Sequence, residues 1–193
     1  LVRRARGRAA VKGSDKRVYG EGEGMIMERE VCIRRVKAGD ENTLAYIQTE
    51  SWREAFREIL SEEVLSKCTE LESVTEMYKM LLERQAANGY ILEMDGKPHC
   101  MAWWAAARDA DMAGDAELIC IHSLKDNWHQ GYGKMMMERI LGDIKSAGYP
   151  EVVLWVFDNN ARAIGFYEAL GFNATGRKQP SLGAVEELYS MTL

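Results

Sequence analysis

The chain has 193 residues, 47% of them hydrophobic and 28% charged, with a net charge of −5. That length suits one domain with a core that needs no staples, and the composition excludes an intrinsically disordered chain. No apolar run approaches the roughly 20 residues of a membrane-crossing helix, so no membrane partner is expected.

Residues 1–24 hold seven Arg and Lys against three acids, and five glycines. Such a segment cannot bury enough surface to offset its ordering entropy, so residues 1–26 are read as a flexible basic tail ahead of a single domain, residues 27–193. The tail has two readings, a nucleic-acid or membrane arm and an extension ahead of a start at Met25 or Met27; the second is preferred. No apolar stretch follows Leu1, so no secretory signal is expected. The remainder carries −9, which argues against nucleic acid as the main partner and favours a cationic substrate.

From Val31 to Val36 the pattern predicts a first strand. Asp40 offers an N-cap to a helix whose apolar face continues through Trp52, Ala55, Phe56 and Ile59. Ser73 to Glu76 reads as a capping box opening a helix that Gly89 closes. The period then changes to two: strands Tyr90–Met94 and His99–Ala107 join at Asp95-Gly96, a hairpin signal. A further strand runs from Glu117 to Leu124. Gly131 to Ala147 is helical, with Met136, Met137, Ile140, Leu141 and Ile144 on one stripe. Val152–Phe157 reads as a buried strand and Arg162–Leu170 as a helix. Weak strands near Phe172–Gly176 and Val185–Thr192 finish the chain. This order implies a mixed sheet with helices on its faces.

The four cysteines form no C-x-x-C pair and the three histidines show no ligand spacing. Reduced thiols in a cytoplasmic protein are therefore expected, with no disulfide framework and no metal.

Chemistry concentrates between Glu117 and Lys134, a strand, a short polar loop, then Gly131 and Gly133 opening a helix. A helix start offers orphan N–H groups and partial positive charge, and glycines let a ligand approach the backbone. Together they suit a phosphate or pyrophosphate. A bare G-x-G is also an ordinary tight turn. The Rossmann fingerprint fails because Met136 stands where its third glycine belongs, and the P-loop fails because Met135 follows Lys134.

Asn160, Ala163, Phe166, Tyr167, Gly171 and Phe172 follow a strand in the order of a closing signature of the GNAT superfamily of N-acetyltransferases, which residues 29–193 resemble. The loop from Trp128 to Gly133 matches both glycines of that family's phosphate loop but carries Trp128 where the family has Arg or Gln. Thr49 to Phe56 also resembles family helices beside the acceptor. The resemblance implies an α/β (α+β) fold with a mixed, mostly antiparallel central sheet of about six to seven strands flanked by helices. It implies acetyl-CoA as cosubstrate, its pyrophosphate on the amides of His129, Gln130, Gly131, Tyr132, Gly133 and Lys134. Its pantetheine arm would bond main-chain groups near Ile121, His122 and Ser123. Asn160 would contact the cofactor and Tyr167 would face the thioester sulfur. The implied reaction moves an acetyl group to a primary amine by direct attack in a ternary complex.

A Tyr hydroxyl can protonate a leaving thiolate, so Tyr167 is the expected general acid. Glu117 is the expected base, acting through water, where a base glutamate stands in related acetyltransferases; a solvated strand-start carboxylate is its plain alternative. Strand alternation sets His122 on the opposite face from Glu117, Ile119 and Ile121. Cys120 reads as a structural thiol, and one ring of Trp103-Trp104 as a wall of the acceptor cleft. The acceptor stays open among a small amine, an aminoglycoside-like cation and a peptide amine, as does a homodimer. A non-catalytic acyl-CoA-binding sensor or interaction module remains the competing class.

Overall fold

The computed structural model describes residues 30–85 and 87–193; the basic tail lies outside them. Among these described residues seven strands form one sheet in the order β1-β2-β3-β4-β5-β7-β6. These are β1 Val31–Arg35, β2 Asn88–Met94, β3 Lys97–Ala106, β4 Ala116–Ser123, β5 Glu151–Phe157, β6 Asn173–Ser181 and β7 Ala184–Thr192. All neighbours run antiparallel except β4 and β5. Among the described residues five α-helices accompany them: α1 Glu41–Ala55, α2 Glu62–Cys68, α3 Leu71–Arg84, α4 Tyr132–Ser146 and α5 Ala161–Ala169. This is the mixed, mostly antiparallel sheet with flanking helices that the sequence predicts.

Two cores lie on opposite faces. The α4 stripe of Met136, Met137, Ile140 and Ile144 is fully buried against Leu92, Ala102, Val152 and Leu154, with Tyr167 and Phe172 beside it. On the other face Leu44, Ile47, Val74 and Tyr78 of α1 and α3 cover Ile91, Met101 and Trp103. Trp103 and Trp104 do point to opposite faces, but each ring enters a core and neither borders the cleft described below.

Several boundaries differ from the sequence reading for identifiable reasons. The first helix stops at Ala55 and a separate α2 follows, capped by Ser61, whose side chain accepts from Val64 N. The helix of the expected capping box starts earlier, because the Glu70 carboxylate accepts from Glu72 N and Ser73 N and so holds two orphan amides itself. Gly89 does not close that helix; Gln85 does, in a left-handed conformation. Gly89 instead lies in β2, where a Cβ would stand 2.7 Å from the Trp103 ring, so glycine makes room for the indole. Asp40 occupies the N-cap position without capping: its carboxylate takes Arg34 at 2.8 and 3.0 Å and Lys37 N at 2.8 Å.

Two irregularities shape the centre of the sheet. Trp103 pairs with Cys120 and Trp104 with Leu118, so Ile119 is an extra residue in β4, a bulge. The strands β4 and β5 pair at Ala116–Val152 and Glu117–Val153, then part. Past that point a wedge opens through the sheet.

Candidate active site

A cavity of about 530 Å³ fills the wedge, within the size range of small-molecule sites. One half lies on the α4–α5 side, bordered by Ile121, Ser123, the Trp128–Lys134 loop, Arg162 and Tyr167. The other half lies on the α1 side, bordered by Ser51, Trp52, Phe56, His122, Phe157 and Glu186. Because β4 has no β5 neighbour past Glu117, its edge there faces the cavity.

The loop half has the expected anion geometry. Gly131 is the N-cap of α4 with φ 85, a left-handed conformation that a Cβ would strain. The first intrahelical bond runs from Met135 N to Gly131 O at 3.1 Å, so the N–H groups of Tyr132, Gly133 and Lys134 precede the ladder. No side chain caps them and no acid stands in the first turn. The positive end of the helix therefore faces the cavity undiminished. His129, Gly131, Tyr132, Gly133 and Lys134 all border it; Gln130 is exposed on the same loop. Trp128 donates from Nε1 to Ser123 O at 3.0 Å, which ties the loop to β4. The Arg162 guanidinium lies 3.6 Å over the Trp128 ring. A cation thus reaches the loop from α5, where Trp128 has replaced the family's basic or amide residue. Burial lowers the Arg162 pKa from its ordinary value, with the nearby Tyr167 opposing.

Tyr167 borders the cavity from α5 with 8% of its surface exposed, its ring held against Phe166 and Phe172. Burial pushes its pKa well above the ordinary phenol value, and the Cys120 thiol nearby adds to the rise. Asn160 is the N-cap of α5, accepting from Ala163 N at 3.2 Å. It does not border the cavity, so its side chain holds the helix that carries Tyr167.

Glu117 and His122 depart from expectation. The bulge at Ile119 shifts the alternation: Leu118 and Ile121 both face the α4 core, while Cys120 faces the α1 side. His122 follows Cys120 onto that side and accepts from Trp52 Nε1 at 3.2 Å through its own Nε2. Glu117 is 3% exposed and engages both carboxylate oxygens with the Arg108 guanidinium. It does not border the cavity. The carboxylate that does is Glu186, opposite Phe157 in the β5–β7 ladder. Sequence reasoning missed it because it sits in a weak strand near the chain end with no motif around it.

Burial pushes the His122 pKa down from 6.5 to about 4. With its Nε2 occupied by an N–H donor, the neutral ring carries its proton on Nδ1 and is a poor base. The shift also has a sign for stability. The unfolded chain binds this proton between pH about 6.5 and about 4 while the folded chain does not. The contribution is therefore complete above pH about 6.5 and is lost as pH falls through that window. His122→Asn, which keeps an acceptor for Trp52, is expected to flatten the fall of Tm between those pH values; an unchanged Tm profile would refute the assignment.

A sheet parted between two parallel central strands, with an uncapped helix start at the opening, defines the acyl-CoA-dependent N-acetyltransferase architecture. The Acetyltransferase (GNAT) family model matches residues 48–172, and the chain belongs to that family, which makes it an acyltransferase. It is 23% identical over 141 residues to YuaI of Bacillus subtilis, an uncharacterized N-acetyltransferase, covering 72% of this chain and 78% of that protein. It is 26% identical over 148 residues to Rv2775 of Mycobacterium tuberculosis, named a probable N-acetyltransferase, covering 76% of this chain and 82% of that protein. Its fold is similar to the crystal structure of the PaiA N-acetyltransferase of Thermoplasma acidophilum in complex with coenzyme A. There the TM-score is 0.72 at 20% identity, over 84% of this chain and 99% of that one. Among the described residues no group of three His, Cys, Asp or Glu could hold a metal ion, and no helix is long and apolar enough to cross a membrane.

Proposed function

We propose that the chain transfers the acetyl group of acetyl-CoA to a primary amine by direct attack, both substrates meeting in the wedge between β4 and β5. The observation that carries this reading is the uncapped α4 start opening onto a cleft bordered by the buried Tyr167. Acetyl-CoA, when bound, supplies an activated thioester and a thiolate leaving group. The loop fits its diphosphate, since the amides of residues 129–134 and the Lys134 and Arg162 cations would hold it. The open edge of β4 at Ile121–Ser123 would bond the pantetheine amides as a strand neighbour would. Ser123 offers less than expected there, because its carbonyl already accepts from Trp128.

The acceptor nitrogen donates its lone pair to the acetyl carbonyl carbon as the carbon–sulfur bond breaks. Tyr167, held protonated by burial, gives its proton to the departing sulfur. The acceptor binds as its ammonium against Glu186, which first takes one proton through water to free that lone pair; the second proton leaves the nitrogen to solvent after attack, and exchange with solvent restores Glu186 and Tyr167. Glu117 serves instead to hold Arg108 through its backbone N–H and its guanidinium.

Calorimetry of coenzyme A against the full chain, followed by thiol release with an amine panel, tests the reading. Absence of heat would overturn it. Tight binding with no turnover on any amine would favour a sensor. Arg162→Ala is expected to weaken coenzyme A binding about tenfold and to reduce its salt dependence, the loss of one charge-assisted phosphate contact. An unchanged dissociation constant would remove Arg162 from the diphosphate site.

A further inference from the structure

We infer that the acceptor is a small monoamine carried on an apolar, aromatic body; this rests on the acetyl-transfer reading and narrows its substrate. The α1-side half of the cleft is walled by Trp52, Phe56, Trp155 and Phe157. Their rings meet edge to face, Trp52 against Phe56 at 5.0 Å and Phe56 against Phe157 at 5.2 Å, and still border open space. Such a wall buries an aromatic body in edge and stacked contacts, and its ring faces attract an ammonium.

Charge sets the count of amines. Among the described residues bordering this half, Glu186 is the one with a formal charge. Arg108 already feels part of the Glu186 charge and Gln179 donates to it at 3.5 Å, so this carboxylate balances no more than one ammonium. A polyamine or aminoglycoside needs several, and the acids of α1 are already engaged: Glu50 with Arg53 at 2.7 Å, Glu54 with Lys125 at 2.5 Å. Arg177 lies 5.3 Å over the Trp155 ring. An acceptor carboxylate fares no better, because Arg177 is bonded to Asp109 and Asp111 and Arg108 to Glu117.

A second polar feature fits the amine. Ser51 is 4% exposed, borders the cleft, and its hydroxyl has no hydrogen-bond partner. A buried hydroxyl left unpaired is costly, and an acceptor N–H in this half would satisfy it. The cavity, at about 530 Å³, must also take the thioester end, which leaves room for a body of about one ring system.

The test uses the full chain with saturating acetyl-CoA and reads thiol release with phenethylamine, phenylalanine, spermidine and a short peptide with a free N-terminus. Phenylalanine adds a carboxylate to the same body, and spermidine adds cations without the ring. The specificity constant for phenethylamine is expected to exceed each of the others by about 100-fold. Trp155→Ala is expected to raise the KM for phenethylamine about tenfold with calorimetric coenzyme A affinity unchanged. If circular dichroism shows that variant unfolded, Phe56→Ala carries the same comparison. Preference for spermidine, phenylalanine or the peptide overturns the inference and leaves acetyl transfer standing. Coenzyme A binding without thiol release from phenethylamine overturns it as well. Absence of coenzyme A heat defeats the underlying reading instead.

Discussion

Turnover of Tyr167→Phe is expected to fall about 100- to 1,000-fold, with coenzyme A affinity unchanged. The ring sits between Phe166 at 5.5 Å and Phe172 at 5.8 Å, contacts that a phenyl ring keeps. The substitution therefore removes one oxygen and little else. Because burial raises the Tyr167 pKa, the hydroxyl stays protonated at any ordinary assay pH and is always a donor. What it donates to is a sulfur that becomes basic as the thioester breaks, so the loss is felt in the transition state more than in binding. Steady-state thiol release beside calorimetry separates the two. Unchanged turnover would remove Tyr167 from the reaction, and weakened binding would make it a packing residue.

Gly133→Val is expected to weaken coenzyme A binding about 100-fold, the loss of roughly two charge-assisted amide–phosphate bonds. A Cβ at Gly133 would already stand 3.4 Å from Phe166 Cζ. The branched methyls of Val reach further, into that ring or across the mouth of the amides. Gly142 is the control: it lies in the same helix with nothing within 4 Å of a Cβ. Gly142→Ala should keep full affinity and raise Tm slightly, since alanine favours helix over glycine. Normal coenzyme A affinity in Gly133→Val would displace the diphosphate from this loop.

Features encoded within one element were legible in the sequence. The α4 stripe, the Asp95-Gly96 hairpin and the glycine start of α4 rest on spacing and turn chemistry that neighbouring residues carry. Features set by distant partners were not. Alternation along β4 failed at Ile119, because a bulge exists only between two strands, and one inserted residue moved His122 to the side of Trp52. Glu117 looked like a base because its position matched a pattern; its bond to Arg108, nine residues earlier and outside the strand, was invisible to that pattern. The acceptor wall gathers Trp52, Trp155 and Glu186 from α1, β5 and β7, and no local period links them.

The parting of β4 from β5 has a mechanical consequence. Strands β1–β4 and strands β5, β7 and β6 are two plates, joined within the sheet at two residue pairs near Ala116 and Glu117 and bridged on one face by α4. An extended arm lying between them would complete both main-chain edges at once, acting as a temporary eighth strand. Loading the donor would then stiffen the whole molecule without changing its outline. Slower amide exchange at the far ends of both plates would be its signature.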